Sequence, residues 1–82
     1  MTRRDAALYK INALIIENNQ YQQYIKIVES DYEVLTDQYM NGNIEGPIGK
    51  EQNRLMRLRD GYMKHIQKNE RAIASMRIKY GL

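Results

Sequence analysis

The chain has a single histidine, His65, the residue type most often used in acid–base chemistry. A nucleophilic triad would need it to meet Ser30 or Ser75 and a carboxylate in a common pocket, which paired helices do not provide. There are no cysteines, so thiolate nucleophiles, disulfides and thiolate metal sites are excluded. A carboxylate-bridged di-iron bundle would want Glu-x-x-His, and position 62 is Tyr62. Glu29, Glu33 and Asp37 recur every four residues along one helical face, which could ladder metal ions or pair with arginines. The arginines of the second half account for them. The stretch NGNIEGPIG at 41–49 resembles a phosphate loop only in its glycines: Gly42, Gly46 and Gly49 do not fit G-x-G-x-x-G. Gly49-Lys50 lacks the earlier glycine of a P-loop, Ile44 standing there, and Glu51 replaces the following Ser or Thr. The sequence therefore predicts no catalytic residue, no metal site and no cofactor.

Anion binding is the remaining chemistry. Residues 27–61 carry four basic and seven acidic side chains, net −3, and the rest carry nine basic and three acidic, net +6. The candidate anion or nucleic-acid patch is Arg3, Arg4, Tyr9, Lys10, Lys64, Lys68, Arg71, Arg77, Lys79 and Tyr80. Cations with interleaved tyrosines can hold phosphates and stack bases. A solvated basic face, or cations complementing a helix C-terminus, would look the same.

The elements that must position these groups are two helices. From Ala7 to Tyr39 the residues Ala7, Ile11, Leu14, Asn18, Tyr21, Ile25, Val28, Tyr32, Leu35 and Tyr39 alternate at steps of four and three. Nine of those ten are apolar or tyrosine, the pattern of a long helix with a coiled-coil seam. Thr2 and Asp5 form a capping box at its start. The second seam reads Ile48, Leu55, Leu58, Tyr62, Ile66, Asn69, Ile73, Met76 and Tyr80, with a local stutter where Tyr62 and Ile66 follow Leu58 by steps of four. Gly61 interrupts that helix at a cost of about 1 kcal/mol against alanine and is expected to admit a closely packed neighbour. Gly42 suits a left-handed C-terminal position and Pro47 the first turn of a second helix. The expected fold is all-α, one domain over residues 1–82: helix about 3–41, turn about 42–47, helix about 48–80.

Chain reversal near Ile44 makes facing residues sum to 87 or 88. Asn18 and Asn69, the polar interruptions of the two seams, satisfy that sum and form a register-setting layer. Glu29 with Arg59, Asp31 with Arg57, Glu33 with Arg54 and Asp37 with Lys50 satisfy it too, predicting a cross-helix charge ladder. In this register His65 falls beside Tyr21 and Gln22 as a half-exposed hydrogen-bonding residue.

Apolar residues also flank the seam, so the hairpin has more apolar surface than two helices can cover. The candidate partner face is Leu8, Ile15, Ile27, Val34, Met56 and Met63. Self-association into a helical bundle, a dimer or higher homo-oligomer, is the simplest cover; a different protein's helix and a short helix of residues 1–10 folded back over part of the face are the alternatives. No apolar run approaches the length of a membrane span, and the absence of cysteine fits a reducing compartment, so a cytoplasmic, soluble protein is expected. The functional expectation is a non-enzymatic protein–protein interaction module: a regulator, antagonist (inhibitor) or assembly factor with an unidentified protein partner. A module binding nucleic acid or nucleotides through the basic open end is the alternative.

Overall fold

The computed structural model describes residues 2–42 and 48–82, with the backbone alone at Ile48. Two helices make up nearly all of it: α1, Arg3–Met40, and α2, Ile48–Tyr80. Helix α1 stops one residue earlier than expected because Asn41, at ψ 4°, has left helical geometry and caps it. The expected reversal near Ile44, the place of Pro47 and the seam role of the Ile48 side chain lie outside the described residues.

Each end of α1 is closed by the residues that the sequence offers for it. The Asp5 N–H donates to Thr2 Oγ1 at 3.1 Å, and the Thr2 N–H donates to Asp5 Oδ2 at 3.4 Å. Two otherwise orphaned donors are thereby satisfied, and a carboxylate sits at the positive end of the helix. At the other end Gly42 takes φ +71°, and its N–H donates to the Tyr39 carbonyl at 3.1 Å. Helix α2 ends the same way: Gly81 at φ +65° lets the Leu82 N–H reach the Arg77 carbonyl at 2.8 Å. A side chain at either glycine would strain a backbone that the cap requires.

The helices run antiparallel, as contacts at three heights establish. Gln52 donates to Thr36 near the turn, Asn69 donates to Asn18 further along, and Arg3 shares a notch with Tyr80 at the open end. The protein is an all-α helical hairpin measuring 60 × 14 × 14 Å.

The seam of α1 follows the expected heptad up to Leu35, with Ala7, Ile11, Asn18 and Val28 buried. Tyr39 departs from it and is 54% exposed. The seam of α2 needs a larger correction. Leu58 was expected to fill it but stands at its edge, 37% exposed, and the position belongs to Arg59. With Gln52 and Arg59 included, the seam of α2 runs through 52, 55, 59, 62, 66, 69, 73, 76 and 80, every one of them half-buried or buried. Steps of three and four then alternate without a break, so there is no stutter. The physical reason is phase: a heptad continues through a polar residue more easily than it jumps to a nearby leucine.

The core is correspondingly thin. Its buried apolar residues among those described are Ala7, Ile11, Val28, Leu55 and Ile73, and no large side chain is wholly enclosed. Polar layers alternate with them. Asn18 is buried and accepts from Asn69 Nδ2 at 2.9 Å, while the same amide donates to Glu17 Oε1 at 3.1 Å. Nearer the turn, Thr36 Oγ1 donates to the Tyr32 carbonyl at 2.9 Å and accepts from Gln52 Nε2 at 3.3 Å.

The expected charge ladder does not form: none of its four cross-helix pairs is an ion pair among the described residues. Arg54 instead binds Glu51 one turn away on its own helix, and Arg59 approaches Asp60 at 3.7 Å. Equal height is not equal azimuth. Asp37 and Arg57 each lie two residues past a seam position and Lys50 two residues before one, about 200° round the helix in either sense, and so point away from the partner helix. Asp31 does act across the gap, adding a smaller contribution to the Arg54 guanidinium, whose pKa is raised chiefly by its hydrogen bond to Glu51.

Gly61 also departs from expectation, since a Cβ built there would meet nothing within 4 Å. It is no site of close approach. Replacing it should therefore recover helix propensity: Gly61→Ala is expected to stabilise the fold by about 1 kcal/mol, read as a rise in urea midpoint or Tm. The amide layer makes the opposite prediction. Asn69→Leu alone should cost about 1–3 kcal/mol by leaving Asn18 buried without its donor. Adding Asn18→Leu should recover most of that loss in a denaturation double-mutant cycle.

Candidate interaction surfaces

Two flanks border the seam, and the residues proposed for a partner face divide between them. Leu8 and Ile15 each follow a seam position of α1, whereas Ile27 and Val34 each precede one. The two sets stand about 100° to either side. On α2, Met56 and Met63 follow Leu55 and Tyr62. Antiparallel packing brings residues that follow such positions to one side of the hairpin, and the surface relief agrees. Ile15 shares a notch with Glu70 and Arg77; Gln22 shares one with Met63 and Ile66; Glu29 shares one with Met56 and Arg59. Leu8, Ile15, Met56 and Met63 thus lie along one grooved flank, with Ile15 37% and Met63 44% exposed. Ile27 and Val34 belong to the opposite flank, where Val34 borders a notch with Asp31, Glu51 and Arg54.

Mid-way along the hairpin that opposite flank carries a cluster of rings. Tyr21 lies 5.8 Å from Tyr62 and 5.2 Å from His65, the latter stacked at 12°, and Tyr24 lies 5.5 Å from Tyr62. His65 was expected near Tyr21 as a hydrogen-bonding residue. It is exposed and meets Tyr21 through its ring face, with no side-chain hydrogen bond among the described residues. Crowding by these neighbours, and then the Glu17 carboxylate, push the Tyr21 phenol above its usual range. Glu17 belongs to no candidate set drawn from the sequence, yet it joins the amide layer to this cluster. The signal available was its place one turn from Tyr21 and next to Asn18.

The basic residues also separate. Arg3, Lys10, Lys79 and Tyr80 line one notch of about 420 Å³ at the open end, with Lys79 Nζ 5.4 Å from the centre of the Tyr80 ring. None of those three cations is ion-paired among the described residues. Arg77 lines the notch beside Ile15 on the grooved flank. Lys64, Lys68 and Arg71 are exposed and each follow a seam position by two residues, so they form an outward stripe on α2. Arg4 and Tyr9 are exposed on α1 and border none of these notches.

Chemically, the surfaces offer apolar contact, amide and ring contact, and cation contact. Ser75 lines the basic notch away from His65, and no three of the described His, Asp or Glu side chains converge to hold a metal ion. No described helix is long and apolar enough to cross a membrane. No protein-family model matches this chain, and no match was found among the curated proteins or the solved structures compared with it.

Proposed function

We propose that this protein is a non-enzymatic interaction module of a reducing compartment such as the cytoplasm. It self-associates through its exposed apolar flank and acts as a regulator, antagonist or assembly factor by occupying another protein's surface. The observation that carries the reading is surplus surface. A folded monomer of this mass is expected to expose roughly 5,100 Å², whereas this chain exposes 6532 Å². The radius of gyration is 18.4 Å, against about 12 Å for a compact chain of the same length. The excess, roughly 1,400 Å² per chain, exceeds the ~800 Å² that each partner contributes to a standard specific interface. Leu8, Ile15, Ile16 and Met63 contribute to it as exposed apolar side chains. Light scattering on the eluting peak, after nuclease treatment, is expected to return at least twice the 9.7 kDa chain mass at tens of micromolar. A single-chain mass at high micromolar concentration would remove this reading.

A second reading, binding of nucleic acid or nucleotides, is favoured by the convergence of Arg3, Lys10 and Lys79 with Tyr80 in one notch. Three phosphate contacts predict affinity for a mixed oligonucleotide falling about 20- to 40-fold between 50 and 200 mM salt. Arg3→Glu with Lys79→Glu should abolish that binding in fluorescence anisotropy, and no binding at low salt would eliminate this reading.

A further inference from the structure

Resting on the self-association proposed above, we infer that a second copy docks on the Leu8–Ile15–Met56–Met63 flank and lies antiparallel to the first. In that arrangement the basic open half of each hairpin covers the acidic turn half of the other. Three observations lead there.

The first is relief. This flank carries a row of three notches, beside Ile15, Met63 and Met56 in turn, the middle one lined by Gln22, Ile25, Met63, Ile66 and Gln67. Ridges of a second helix pair can enter notches of that kind.

The second is self-complementarity, which a two-fold contact requires. In the register set by Asn18 and Asn69, Met63 lies level with residue 24 and Met56 with residue 31. Ile15 is then nine residues from the Met63 level towards the open end and Met56 seven residues towards the turn, about 13 and 11 Å. A two-fold axis at the height of Met63 therefore brings Ile15 of one copy to within about 3 Å of the height of Met56 of the other, so apolar side chains of the two flanks meet in one layer.

The third is charge. Residues 27–61 are net −3 and the remainder net +6, so parallel docking stacks the +6 ends on each other while antiparallel docking offsets them. One pair makes this specific. Arg59 sits in the seam with Nε buried and without a hydrogen-bond partner, in the notch it shares with Met56. Glu70 is one of only three acidic residues in the basic half, and it lines the notch beside Ile15 on the same flank. The two-fold axis brings Glu70 of the second copy to within about one helical turn of the height of Arg59. Within one chain the two are eleven residues apart on the same helix, about 16 Å, too far to pair. Any coupling between them is a contact between copies.

The chain has no native cysteine, so single spin labels at Tyr9→Cys and Lys64→Cys report distances between copies without interference. Both positions are exposed and off the proposed interface. Antiparallel docking predicts a separation along the axis of about 45 Å for Tyr9 labels and a much shorter distance for Lys64 labels. Arg59→Glu or Glu70→Arg should each weaken the dimer about tenfold, and the double variant should restore it. Short distances at both label positions, or charge reversal without rescue, would overturn the antiparallel arrangement while leaving self-association standing. A single-chain mass with no distance between copies would overturn both.

Discussion

The hydrogen bond from Asn69 to Asn18 is the interaction on which the other features depend. Two helices alone have one contact line, and apolar residues along it can slide by a heptad with little penalty. An amide buried at one height cannot slide, because any other register leaves its polar atoms without partners. Glu17 strengthens the constraint by accepting the second N–H of Asn69. The Thr36–Gln52 contact repeats the device near the turn. With both layers in place the azimuth of every other residue follows, including the flanks.

That specificity comes with a thin core. A seam containing Asn18, Asn69, Gln52, Arg59 and four tyrosines gives up apolar burial at each of those layers, and no large side chain among the described residues is fully enclosed. Burial of a second apolar flank against another surface would supply what the seam does not. Structure and proposed role meet at this point: a chain that holds its register with polar groups keeps apolar groups outside, available for contact. Arg59 has the same double character. It continues the heptad in place of Leu58, yet leaves its Nε buried without a partner in a notch of the methionine flank.

Much of the hairpin could be read from periodicity and end chemistry. Thr2, Asp5 and Gly42 mark the ends of α1 through local rules that tertiary context does not override, and the sum of 87 for Asn18 and Asn69 selects the register. What escaped was mostly azimuthal. Numerical opposition placed Glu33 and Arg54 at one height but could not tell that they lie on opposite flanks. Leu58 was read into the seam because leucine usually belongs there, and only the unbroken alternation through Arg59 corrects it. The candidate partner face mixed two flanks for the same reason: Ile27 precedes a seam position and Ile15 follows one. Gly61 was assigned a packing role on residue type alone, and open space around it shows the limit of that argument.

The central claim is that one chain folds back on itself so that its own two amides meet. Isotope-filtered NMR on a mixed sample of labelled and unlabelled protein tests this directly, because it separates contacts within a chain from contacts between chains. The account predicts strong nuclear Overhauser effects between the side-chain amides of Asn18 and Asn69 within a single labelled chain. Finding those effects only between chains, as an exchanged or fully extended arrangement would give, would contradict it.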